Sequence, residues 1–202
     1  MGVKPLALNA AGDVIEQAVA RAGLAPDAKN WEFLGRLNLA TAAINSGTLT
    51  LSGLRRWLRV YVFISGYAGS GGVARLRFGA GAAVDAGANY AENGGENGAA
   101  FTARTALVGL NSGGSAIVGP RLTMFEIYNL TAQVKRVRVS ANSGSVVAAT
   151  APTDYQASGI WVNTTAQIDR LDLNSYSLVT GTTAGGNLLA NTEIFVEGRD
   201  TD

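Results

Sequence analysis

The feature that most constrains this chain is the alternation within Leu54 to Phe78, LRRWLRVYVFISGYAGSGGVARLRF. Leu58, Val60, Val62 and Ile64 share one face of a period-two pattern, and Trp57, Arg59, Tyr61, Phe63 and Ser65 share the other. β-branched and aromatic residues suit a pleated surface, so the spacing predicts a strand with one buried face and one face of arginines and rings. Ala74, Leu76 and Phe78 repeat the apolar half of the pattern, with Val73, Arg75 and Arg77 opposite. The GYAGSGG between them is too long for a two-residue turn and too glycine-rich to be anything but a loop. The stretch therefore predicts a hairpin that buries Val60, Val62, Leu76 and Phe78 together. Its outer face would carry Trp57, Arg59, Tyr61, Phe63, Arg75 and Arg77.

The rest of the chain reads as further strands that complete such a sheet. Phe33 to Leu39, Thr48 to Leu51, Phe101 to Val108 and Ala116 to Val118 are expected strands. Leu122 to Tyr128 alternates, with Phe125 and Ile127 facing one way and Met124, Glu126 and Tyr128 the other. In Gln133 to Ala141, Val137 and Val139 alternate with Arg136 and Arg138. Gly159 to Asn163 holds Trp161, Ala166 to Asn174 puts Leu171 and Leu173 on one face, and Glu193 to Glu197 does the same with Ile194 and Val196. Gly79 to Gly98 reads as a long loop broken at Asn89 and Tyr90. Roughly ten short strands with no helices alternating between them point to an all-β, antiparallel, jelly-roll-like β-sandwich.

The opening differs. Lys4 to Leu8 suits a short edge strand limited by Pro5, and Asp13 with Glu16 forms a capping-box pattern before the stripe Ile15, Ala18, Val19 and Ala22. A short helix is the reading there, with a strand through Val14 and Ile15 as its rival. Ala25-Pro26-Asp27-Ala28 is a linker, dividing an N-terminal arm, 1–30, from a sandwich domain, 31–202.

Composition narrows the chemistry. The chain has 202 residues, no cysteine and no histidine, which removes disulfides, thiolate nucleophiles, the usual zinc ligands and every imidazole-based triad. Sixteen basic and fifteen acidic residues give a formal charge of +1, so the overall balance carries no nucleic-acid footprint. The charges are segregated nonetheless. Between Glu32 and Asp85 lie Arg36, Arg55, Arg56, Arg59, Arg75 and Arg77 and no acid, whereas acids gather from Asp154 to Asp202. Such complementarity suits strand pairing or subunit contacts. The N-terminus lacks a secretory signal and a myristoylation motif, and no apolar run reaches the ~20 residues of a membrane span.

Spacing decides between the remaining candidate sites. No GK[ST] occurs, and Gly79-Ala-Gly81 continues to Val84 where a dinucleotide fingerprint needs glycine, so ordinary loops are the reading. Asp85, Asn89, Glu92, Asn93, Glu96 and Asn97 are oxygen ligands that calcium would accept, but their spacing matches no calcium loop and a solvated loop is expected. No metal, cofactor or catalytic residue is assigned. The face of Trp57, Arg59, Tyr61 and Phe63 suits a subunit interface, and a platform for stacked sugar rings or splayed bases in second place.

In this order, the segments resemble bacteriophage virion structural proteins, the β-sandwich modules of head decoration proteins, head fibres and tail fibres. The opening KPLALNAAGDVIEQ, the succession LRRWLRVYVFISG, VARLRF, Ala88-Asn89-Tyr90, FEIYN and KRVRVSA, and the closing GIWVNTTAQIDRLDL and EIFVEG carry the resemblance. Family members often continue the second strand with Asn-Gly-Asp, where this chain has Gly79-Ala80-Gly81. The resemblance implies a non-enzymatic capsid decoration, cement or head-fibre protein at the virion surface, assembled in the bacterial cytoplasm. It implies a homotrimer that docks on the major capsid protein, or another virion protein, through Lys4, Pro5, Leu6, Leu8, Ile15 and Val19 of the arm. A tail fibre or receptor-binding component, or a carbohydrate-binding module, is the alternative. Neither nucleic acid nor membrane is an expected partner.

Overall fold

The computed structural model describes residues 31–68, 72–113, 119–144, 151–177 and 186–200. Every regular element within them is a strand. In chain order these are β1 (Glu32–Asn38), β2 (Leu49–Thr50), β3 (Trp57–Ile64), β4 (Tyr67–Ala68) and β5 (Gly72–Ala80). Then come β6 (Ala83–Val84), β7 (Tyr90–Glu96), β8 (Ala99–Leu107), β9 (Leu110–Asn111) and β10 (Arg121–Tyr128). The last are β11 (Lys135–Ser143), β12 (Thr153–Trp161), β13 (Arg170–Ser177), β14 (Asn187–Leu188) and β15 (Glu193–Arg199). The expected arm, its helix and the strand at Ala116 to Val118 lie outside the described residues.

Two antiparallel sheets form the sandwich. The larger has eight strands in the order β1-β15-β3-β10-β11-β12-β7-β8. The smaller has the order β2-β13-β5-β6, with β9 also paired to β5, and β14 and β4 form a short separate ladder. The alternation in the sequence decides which face of each strand turns inward. From the large sheet, Leu58, Val60, Val62, Ile64, Phe125, Ile127, Val139, Ile194 and Val196 are fully buried, and from the small one Ala74, Leu76, Phe78, Leu171 and Leu173 join them in one core. Phe78 crosses between the layers, with its ring 5.9 Å from both Tyr90 and Trp161. At one end Asn129, itself buried, donates to the Arg55 carbonyl and accepts from the Ile168 amide, joining three loops.

The anticipated central hairpin is not there. β3 pairs with β10 and β15, β5 pairs with β13, and the two strands lie in opposite sheets. Val60, Val62, Leu76 and Phe78 do share a core, as facing layers and not as neighbours. Alternation specifies which side of a strand is apolar but not whose backbone it bonds, and GYAGSGG is long enough to cross between layers. The long loop expected from Gly79 to Gly98 is also corrected, because it contains β7, an interior strand of the large sheet. The segment Tyr90–Glu96 has no β-branched residue to announce it. Its glycines serve close packing: a Cβ at Gly94 would lie 2.1 Å from the Gln156 carbonyl oxygen and 2.6 Å from the Ala157 Cα. β12 begins at Thr153, six residues before the expected start at Gly159.

Candidate functional site: the outer face of the large sheet

Strand register builds this face row by row. Arg199, Trp57, Tyr128, Arg136, Ile160 and Ala91 stand side by side on β15, β3, β10, β11, β12 and β7. Two residues further along, the same strands align Glu197, Arg59, Glu126, Arg138, Ser158 and Asn93. Together with Trp31 and Arg104 these two rows line most of a shallow groove of about 850 Å³. A neighbouring hollow of about 550 Å³ shares Asn93, Arg138 and Ser158 with it, so the depression continues across the sheet.

The groove is floored by rings and rimmed by cations. Trp57 and Tyr128 pack with centroids 4.7 Å apart and planes tilted by 49°. The Trp31 ring carries the Arg59 guanidinium at 4.1 Å and that of Arg199 at 4.7 Å, the geometry of a cation held over an aromatic face. Arg59 is further occupied by Glu126 at 3.2 Å and Glu197 at 3.8 Å. Arg104 is spoken for by Glu92, whose carboxylate is buried and also accepts from the Asn111 side chain and amide. Arg136 and Arg138 are exposed, and among the described residues neither has a carboxylate in ion-pairing reach. Arg199 pairs with no carboxylate there either, and its Nε has no hydrogen-bond partner. Three cations of the groove thus make no ion pair among the described residues.

Beyond the groove the same face turns apolar. Phe33 is 60% exposed, Leu122 54% and Phe63 42%, and Phe63 stands directly opposite Leu122 in the β3-β10 ladder. Phe33 packs on Phe195 at 5.4 Å, and Phe195 on Tyr61 at 5.9 Å. Burial, and then the hydrogen bond that Tyr61 donates to Glu197 at 3.1 Å, push the Tyr61 phenol up.

The expected face is therefore divided. Trp57, Arg59, Tyr61 and Phe63 do share the outside of the large sheet, but Arg75 and Arg77 belong to the other layer and are occupied within it. Arg75 is 8% exposed, donates to the Asn111 side-chain oxygen at 2.9 Å and lies over the Tyr176 ring, while Arg77 donates to Asp172 at 2.7 Å. Lys4, Pro5, Leu6, Leu8, Ile15 and Val19 lie outside the described residues. The segregated charges resolve within one chain, through Arg36 with Glu193, Arg55 with Glu32 and Asp200, Arg59 with Glu197, and Arg77 with Asp172. That pairing removes the electrostatic ground for expecting those acids at a subunit contact.

The six oxygen ligands weighed for calcium do not converge. Asp85 accepts from the Trp161 indole at 2.7 Å and the Gly87 amide at 2.8 Å, Glu92 is taken by Arg104, and no metal-holding cluster occurs among the described residues. Trp31, Tyr128, Arg136, Arg138, Ile160 and Arg199 are groove residues that sequence reading did not assign to a site. Their outward placement on β10 and β11 was legible from alternation, but only the ladder order brings them beside Trp57.

Fold and face define a class, an antiparallel β-sandwich with an open, cation-rich sheet surface that continues into an apolar strip. No family model, no curated protein and no solved structure matches this chain.

Proposed function

We propose that this chain is a non-enzymatic structural protein of a bacteriophage particle, a capsid decoration, cement or head-fibre protein attached through residues 1–30. The observation that carries this reading is the apolar strip of Phe33, Phe63 and Leu122, left exposed on the outside of the large sheet. Large rings and aliphatic side chains aligned on one sheet face are the composition of a protein contact surface. The order of segments resembling virion proteins supplies the setting, and the trimer is its implied assembly. Trp31, the first described residue, lines the groove on the same face of the sheet.

Particles lacking the protein are the test. The full chain should restore complete occupancy, and a chain beginning at Trp31 should keep its β-type circular dichroism and cooperative melting but fail to sediment with them. Complete occupancy by the shortened chain would move attachment onto the sandwich. Native mass spectrometry of the full chain should give trimers, and Phe63→Asp with Leu122→Asp should give monomers of unchanged fold. A wild-type chain that stays monomeric at micromolar concentration removes the strip as a subunit contact.

A further inference from the structure

We propose that the groove of Trp57, Tyr128, Arg136 and Arg138 binds an acidic sugar, a pyranose ring bearing a carboxylate, within a longer saccharide. This goes beyond the structural role above and stands independently of it. The first ground is charge. Arg59 and Arg104 are neutralised by Glu126 and Glu92, but Arg136, Arg138 and Arg199 form no ion pair among the described residues, although Glu126 stands opposite Arg138 in the β10-β11 ladder. Arg136 and Arg138 alternate with Val137 on β11, so their stems rise from the same side of the sheet, roughly 7 Å apart for two residues of an extended chain. Two planar forks at that spacing can take both oxygens of a carboxylate, or successive carboxylates along a chain.

The second ground is the floor. Trp57 and Tyr128 are only partly covered, and an aromatic face accepts the C–H side of a sugar ring through apolar contact. The third is the mixture of partners. Glu126, Asn93 and Ser158 stand in the same row as Arg59 and Arg138 and supply acceptors next to the cations. Sugar hydroxyls need both donors and acceptors, whereas a phosphate backbone has no use for a carboxylate and is repelled by it. An acidic saccharide therefore fits better than a single-stranded nucleic acid. The groove's volume of about 850 Å³ falls within the usual range of ligand sites, and its continuation past Ser158 leaves room for further rings.

The test uses the full chain and three probes, a galacturonate trisaccharide, neutral maltotriose and a short oligothymidylate, followed by tryptophan fluorescence and calorimetry. The acidic trisaccharide should bind and the neutral one should not. Arg136→Ala with Arg138→Ala should weaken the acidic trisaccharide by about tenfold or more. Both side chains are exposed, so melting of the double variant should be unchanged and should exclude misfolding as the cause. Tyr128→Ala should weaken binding while Arg36→Ala, outside the groove, leaves it unaltered. Absence of binding at millimolar acidic trisaccharide, equal binding of maltotriose, insensitivity to the double substitution, or tighter binding of the oligothymidylate would each overturn the proposal.

Discussion

Lys135 shows how a single side chain can hold several loops. Its ammonium is withdrawn from solvent and donates to three backbone carbonyls, of Leu130 at 2.6 Å, Gln133 at 2.9 Å and Asn163 at 2.8 Å. Burial pushes its pKa down, and the three carbonyl dipoles are what keep a charge there tolerable. Lys135→Met keeps the stem but leaves the carbonyls unpaired, so it should destabilise the fold by about 2 to 3 kcal/mol in chemical denaturation. An unchanged midpoint would mean that water replaces the ammonium at no cost. The buried tyrosines set the alkaline limit. Burial pushes the phenols of Tyr67, Tyr90 and Tyr155 above the ordinary 10.0. The folded chain then holds protons that the unfolded chain sheds above that value. Their contribution to stability is full below the ordinary phenol range and is lost as pH rises through it, by up to about 1.4 kcal/mol per pH unit for each tyrosine. Denaturation midpoints measured one unit below and one unit above the ordinary phenol pKa should show the fall. Phenolate absorbance should show these three tyrosines ionising only on unfolding, and free ionisation in the folded protein would refute the burial.

At the scale of elements, β7 depends on its neighbours more than the other interior strands of the large sheet do. The sequence YAENGGE has little intrinsic strand preference, and β7 is held by ladders to β12 and β8 and by the buried Glu92. Gly94→Ala would drive a methyl into the β12 backbone and should destabilise the protein by about 3 kcal/mol, since overpacking against a main chain relaxes poorly. Hydrogen exchange should reveal the damage first in β7 and β8, and uniform loss of protection across both sheets would show that these strands are not a separable edge unit. The sheet's two edge strands, β1 and β8, both contain register irregularities, which break the flat row of free amides that invites another strand. β11 is the opposite case to β7. Its strict valine and arginine alternation predicts which side each residue takes, and the structure puts each on that side.

For the whole molecule, stability comes from one core shared by two sheets. Val62→Ala in the large sheet and Leu76→Ala in the small one should each cost about 1 to 4 kcal/mol through lost burial and an incompletely filled cavity. Because both residues belong to the same apolar cluster, each substitution should lower the midpoint of a single cooperative melting transition. Two transitions, with only one sensitive to each change, would mean that the layers fold separately. The ion pairs that tie early arginines to late acids are mostly at the surface and contribute little by comparison. Their effect is to use up charge, and among the described groove residues Arg136, Arg138 and Arg199 are left without an ion pair.

The all-β class, the facing of each well-patterned strand and the apolar residues of the core are legible in the order of residues alone, because a period of two is a local property of the chain. That order also places Trp57, Arg59, Tyr61 and Phe63 on a face turned away from that core. It is the assembled sheets that put β3 and β5 in opposite layers, take Arg75 and Arg77 off the candidate face, and bring Trp31, Tyr128, Arg136 and Arg138 onto it. Those outcomes depend on which backbones share hydrogen bonds and on which charges find partners far along the chain, and neither is encoded in the spacing of neighbouring residues.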